Sequence, residues 1–203
     1  MLKKTLCLFA ILFLLPGAAL AERFQEGNQY RVNDREHRFS EAPREVVEFF
    51  WYGCGGCYAF YPATENWKDS LPDDVEFVRV PAVLNPRWRL HGKAFYVAES
   101  LGMTDEIHEA MFKALHEERR QINDQDAMRE LFVEKGADAD EFDEAFDSFQ
   151  VDSKLRRAEN LARRFSISST PSVVVNGQYV TDLSEAGGVG NLVELGNWLL
   201  EQD

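Results

Sequence analysis

Cysteine is scarce in this chain: 203 residues carry three, at positions 7, 54 and 57. Nothing here can staple a fold through a framework of disulfides, so the core must be held by packing. Long apolar runs are also missing. The longest, over residues 6–15, falls well short of the roughly 20 apolar residues a membrane-spanning helix needs. Basic residues are outnumbered, with 22 Lys and Arg against 35 Asp and Glu, and a formal net charge of −13 argues against nucleic acid as a partner. There is no internal repeat and no low-complexity tract. The four histidines, His37, His91, His108 and His116, show no paired spacing with the cysteines, so no metal is expected; no cofactor is expected either. His108 and His116 are expected on the solvated sides of their helix.

The N-terminus carries Lys3 and Lys4, the short apolar run, Pro16-Gly17 and the small-x-small tripeptide Ala19-Leu20-Ala21. That pattern reads as a secretory signal peptide, 1–21, cleaved after Ala21; a membrane anchor is the alternative. Cys7 lies at the start of the apolar run and not at the cleavage site, which disfavours a lipid-modified cysteine. Cleavage would remove Cys7 and two lysines, leaving a net charge of about −15 and one cysteine pair in a compartment where disulfides persist.

That pair is Cys54-Gly55-Gly56-Cys57. A loop of about four residues removes little chain entropy, so reactivity explains the spacing better than stability does. The motif follows Val46-Val47-Glu48-Phe49-Phe50-Trp51, a nearly continuous apolar run that reads as a strand covered on both faces. A helix is predicted over 57–70 and a second strand over 75–80. At a helix start, unpaired N–H groups and the positive end of the helix dipole favour an anion, which makes Cys54 the expected nucleophile. Cys57 is the expected resolving thiol, more deeply placed. An inert disulfide and a metal site are the competing readings of the pair.

Glu48 breaks the apolar strand six residues before Cys54. A carboxylate there is costly unless paired or protonated, so a raised pKa and proton exchange with Cys57 are expected; a sheet-edge glutamate reaching solvent is the alternative. Thr170-Pro171 stands at the mouth of another strand, 172–175, which a hairpin at Asn176-Gly177 joins to Gln178-Tyr179-Val180. A cis bond at Pro171 would leave the Thr170 backbone free to pair with an extended substrate beside Cys54; a trans proline at a strand entrance is the other possibility. Trp51, Tyr52, Tyr58, Phe60 and Tyr61 crowd the motif, and half of them are expected in the core and half on an apolar rim suited to unfolded polypeptide.

Between 86 and 165 apolar residues recur at helical spacing. Ala94, Val97, Ala98 and Leu101 form one stripe, ended by Gly102, and Ile107, Met111, Ala114 and Leu115 the next, opened by Thr104 as a cap. Met128, Leu131 and Phe132 precede Gly136; Phe142, Phe146 and Phe149 make a fourth stripe, and Leu155, Ala158, Leu161, Ala162 and Phe165 a fifth. An apolar helix around Leu192, Leu195, Trp198 and Leu199 closes the chain. The expected class is α/β, a thioredoxin-like fold in two parts, 22–85 and 166–203, with an all-helical insertion at 86–165.

Glu48-Phe49-Phe50-Trp51-Tyr52-Gly53-Cys54-Gly55-Gly56-Cys57-Tyr58, the helical insert, and Thr170-Pro171-Ser172-Val173-Val174-Val175-Asn176-Gly177 together resemble the DsbA family of periplasmic thiol:disulfide oxidoreductases. The resemblance covers essentially the whole of the chain after the leader. It implies that Cys54 carries an exchangeable disulfide, that Glu48 is a buried proton acceptor and that Pro171 is cis. It also implies oxidation of reduced, unfolded exported polypeptides in the periplasm, and reoxidation by a quinone-linked inner-membrane partner of the DsbB type; a monomer is expected because nothing in the sequence demands a dimer. Two departures stand out. The best-known members have Pro-His between the cysteines, and Gly55-Gly56 offers no imidazole, so Cys54 should be less acidic than in those members. Thr170 stands where an aliphatic residue is usual and is closer to the isomerase and reductase branches. A disulfide isomerase or reductase is therefore the nearest rival reading, and a non-enzymatic metal-binding or chaperone module the rival of another class.

Overall fold

The computed structural model describes residues 23–34 and 36–202; the expected signal peptide and Cys7 lie outside them. Among the described residues five strands form one sheet, β1 (Arg31–Val32), β2 (Arg44–Phe50), β3 (Val75–Pro81), β4 (Ser172–Val175) and β5 (Tyr179–Asp182), in the order β1-β5-β4-β2-β3. β2 lies inside the sheet, parallel to β3 and antiparallel to β4. Among the described residues, α1 (Gly55–Ser70) links β2 to β3; five more helices, α2 (Pro86–Ser100), α3 (Thr104–His116), α4 (Gln125–Glu134), α5 (Ala139–Phe146) and α6 (Phe149–Arg164), lie between β3 and β4; α7 (Val189–Leu200) follows β5.

Strand alternation divides the core. Val47 and Phe49 of β2 and Val174 of β4 face a cluster built with α2 to α6, including Phe95, Ile107, Phe112, Phe132 and Leu155. Val46 of β2 and Val173 and Val175 of β4 face the opposite cluster, with Phe60 and Trp67 of α1 and Leu192, Leu195 and Leu199 of α7. β2 is buried from Glu45 to Phe50, as its continuous apolar run predicts. The hairpin turns at Asn176 and Gly177, both at positive φ, which Asn and Gly tolerate best.

Three local expectations are corrected. Thr104 does not cap α3: Met103 occupies the cap position without a side-chain bond, and Thr104 is the first helical residue. Phe149 does not continue the stripe of Phe142 and Phe146. Ser148 caps a new helix by accepting from the Val151 N–H, and Phe149 opens it at 79% exposure. α1 begins at Gly55, two residues before the predicted start, because Cys54 is its cap. The two-residue strand β1, paired with Val180 and Tyr179, was too short to leave a pattern.

Candidate functional site

The cysteine pair sits where β2 ends and α1 begins. After Phe50 the chain makes a turn closed by the Cys54 N–H donating to the Trp51 carbonyl at 3.0 Å, with Tyr52 and Gly53 at its centre. Cys54 is extended, with φ −91° and ψ 117°, and its Sγ accepts from the Cys57 N–H at 3.3 Å, as a side-chain N-cap does. The structure holds Cys54 and Cys57 as free thiols, Cys54 half-buried and Cys57 fully buried.

Their surroundings drive the two thiols apart. Cys54 is lowered to about 5, chiefly by a hydrogen bond with the Cys57 thiol; burial opposes this, and the Thr170 side chain and the backbone N–H groups of Cys57 and Gly56 assist it. Burial pushes the Cys57 thiol far up, and the neighbouring Cys54 and Glu48 add to the effect. One thiol is thus ionised at neutral pH while the other keeps its proton.

Thr170-Pro171 is a cis peptide and lies directly against this site. In its protonated form Cys54 Sγ–H donates to the Thr170 carbonyl at 3.2 Å. A Cβ on Gly56 would lie 3.3 Å from Pro171 Cδ and from Leu183 Cδ2, so the glycine allows the proline loop to approach closely.

Glu48 is 2% exposed, on the β2 face turned toward α1. In the parallel register it stands beside Arg79 of β3, whose Nε lies 3.3 Å from Glu48 Oε2. The same guanidinium pairs with Glu65 of α1. Burial pushes the Glu48 carboxyl up and Arg79 pulls it back, with a net rise. Glu48 is therefore no sheet-edge glutamate in contact with solvent. Arg79 was not singled out in the sequence, although an arginine inside the apolar strand at the position matching Glu48 was the available signal.

Of the aromatic residues, Tyr52 and Phe60 are buried, while Trp51, Tyr58 and Tyr61 are partly exposed. Trp51 stacks on Trp88 of α2, with centroids 4.4 Å apart and planes 11° from parallel. His108 and His116 do not lie on solvated sides of α3. His108 is 2% exposed and its Nδ1 lies 3.0 Å from the Tyr52 hydroxyl, while His116 Nε2 lies 2.7 Å from the Tyr52 carbonyl. Burial holds His108 well below the usual histidine pKa, hence neutral. Tyr52 is polar at both ends and the insert supplies a partner for each, which turns both imidazoles inward.

A mixed sheet, a dithiol at a helix N-terminus and a cis-proline loop against the thiol define a thioredoxin-like protein of the dithiol–disulfide class, with five helices set between the third and fourth strands. Comparison with known proteins narrows this. A family model described as "DSBA-like thioredoxin domain" matches residues 65–191. The thiol:disulfide interchange protein DsbA of Pseudomonas aeruginosa is 34% identical over 197 residues, covering 97% of this chain and 93% of the relative. The protein of that name from Azotobacter vinelandii is 41% identical over 159 residues, 78% of this chain and 74% of the relative. The crystal structure of P. aeruginosa DsbA superposes with a TM-score of 0.85 at 35% identity, covering 89% of this chain and 95% of that one. The chain belongs to the DsbA family.

Proposed function

We propose that this protein is a thiol:disulfide oxidoreductase that introduces disulfide bonds into exported polypeptides. The observation that carries the reading is Cys54 at the α1 cap, lowered to about 5. At pH 7 such a thiol is about 99% ionised, against about 3% for an unperturbed one. Stabilising the thiolate stabilises the reduced pair, and a pair whose reduced form is favoured is a strong oxidant. No imidazole between the cysteines is needed for this, because the Cys57 thiol, the Thr170 side chain and the backbone N–H groups of α1 act on Cys54.

In the forward reaction a substrate thiolate attacks Cys54 Sγ of the Cys54–Cys57 disulfide. The S–S bond breaks, its electron pair passes to Cys57 Sγ, and a mixed disulfide forms at Cys54. Cys57, whose burial disfavours the thiolate, takes up a proton; Glu48, with its raised carboxyl pKa, is the proposed group that exchanges it. A second substrate thiolate then attacks the substrate sulfur, which releases Cys54 as a thiolate and leaves the substrate oxidised by two electrons. The Thr170 backbone beside Pro171 would align the extended substrate next to Cys54, and the partly exposed Trp51, Tyr58 and Tyr61 would offer it an apolar rim. Residues 22–203 would act as a monomer in the periplasm after cleavage near Ala21, and a quinone-linked inner-membrane oxidase of the DsbB type would remove two electrons, with release of the Cys57 proton, to restore the disulfide.

The oxidised protein mixed with a reduced two-cysteine peptide should convert one peptide dithiol per protein, and Cys54→Ser should abolish the transfer. Transfer retained in Cys54→Ser would sink the assignment.

A further inference from the structure

Three of the chain's four histidines converge on the two residues that open the redox turn. The His91 ring stacks near Trp51, with centroids 5.9 Å apart and planes 24° from parallel. His108 meets the Tyr52 hydroxyl, and His116, in the last turn of α3, meets the Tyr52 carbonyl. Of these three contacts, the last is the one made to backbone. A carbonyl oxygen can only accept, so His116 Nε2 carries the proton and donates it across 2.7 Å.

The Tyr52 carbonyl belongs to the central peptide of the turn that delivers Cys54. The orientation of that peptide sets where the following Gly53 and Cys54 lie. The turn is gripped from the other side too, since the Trp51 ring covers Gly53 so closely that a Cβ there would lie 2.3 Å from Trp51 Cζ2. His116 is itself braced. Its ring stacks on Tyr58, with centroids 4.7 Å apart and planes 5° from parallel, and the Tyr58 hydroxyl donates to Glu117 Oε1 at 2.6 Å. Tyr58 directly follows Cys57, and its N–H donates to the Cys54 carbonyl at 3.0 Å. One imidazole from α3 therefore touches both flanks of the motif, the turn before Cys54 and the helix residue after Cys57.

We propose that His116 is a positioning residue for Cys54, holding the 51–54 turn so that Cys54 Sγ faces the N–H groups of the first turn of α1. The inference rests on the reading of Cys54 as the reacting thiol and adds to it a component lying outside the motif. Without the donated bond the Tyr52 carbonyl loses its partner, the turn relaxes, and the bonds that hold the Cys54 thiolate lengthen.

The test compares His116→Phe, which keeps an aromatic ring against Tyr58 but cannot donate, with His116→Gln, whose amide can. In each purified protein the Cys54 pKa is read from thiolate absorbance against pH, and the equilibrium constant of the pair is read against glutathione. Loss of one hydrogen bond should raise the Cys54 pKa by about half to one unit and weaken the pair as an oxidant by about three- to tenfold in His116→Phe. His116→Gln should recover most of both. Unchanged pKa and equilibrium constant in His116→Phe would overturn the proposal, and a lowered melting temperature beside two unchanged constants would mark the bond as structural only. Should His116→Phe not fold, the ring nitrogen shifts of the unmutated protein decide: the Nε2–H tautomer is expected at His116, and the Nδ1–H tautomer would overturn the proposal. The thiolate titration needs no client, so failure of disulfide transfer in the unmutated protein would count against the oxidase reading and leave the His116 result interpretable.

Discussion

At Cys54 burial disfavours the charge while hydrogen bonds at the helix cap favour it, and the cap prevails. The consequence reaches stability. A folded-state pKa near 5, set against about 8.5 in an unfolded chain, means the thiolate stabilises the folded reduced protein fully above about pH 8.5. The contribution shrinks as the pH falls and is lost as it passes through 5. The oxidised protein lacks the thiol, so the stability of the reduced form relative to the oxidised form should grow between pH 5 and 8.5. Discounted for the half-exposed sulfur, the gain at pH 7 is on the order of 1–2 kcal/mol. Melting temperatures of both redox forms across that window check this, and a difference that stays flat would contradict it. Cys54, Cys57, Glu48 and Pro171 were legible in the sequence because each either forms a short motif or breaks a pattern. Arg79, His108 and His116 were not, because their partners Glu48 and Tyr52 lie 31, 56 and 64 positions away. Such contacts exist only after β2, β3 and α3 have packed.

Among the elements, α1 carries Cys57 and is capped by Cys54, and its placement depends on α7. Gly196 of α7 lies beneath the buried Trp67 ring of α1: a Cβ there would sit 2.3 Å from Trp67 Cη2. The indole is fixed from its other end too, as Trp67 Nε1–H donates to Asn197 Oδ1 at 2.7 Å. Alanine favours a helix interior over glycine by about 1 kcal/mol, whereas overpacking a filled core costs about 1–3 kcal/mol. The ring has nowhere to move, so the clash should win. Gly196→Ala should lower stability by about 1–2 kcal/mol in denaturant unfolding; a gain would show that α1 and α7 are less closely packed. Most elements could be read from periodicity, since β2, β3, the hairpin and the helical stripes obey alternation or a helical repeat. The departures were at boundaries. Phe149 lay at helical spacing from Phe146 yet falls across a Ser148 cap, and the two residues of β1 are too few to show any alternation.

For the whole molecule, the sheet holds the site between its two packed faces. β2 delivers the turn, β4 starts just after the cis-proline, α1 supplies the N–H groups, and α3 reaches across from the opposite layer to hold Tyr52. This assembly, with glycines alone between its cysteines, should make the pair an oxidant. Equilibrating the purified protein in graded glutathione buffers gives the reduction potential of Cys54/Cys57 directly. About 150 mV separates the strong oxidants of this fold from thioredoxin-like reductants, and the oxidising end of that range is set by a member of this same family and was not inferred from this structure. A potential above about −180 mV is expected. A value near −270 mV would contradict it and indicate a reductase or isomerase that depends on a supply of electrons.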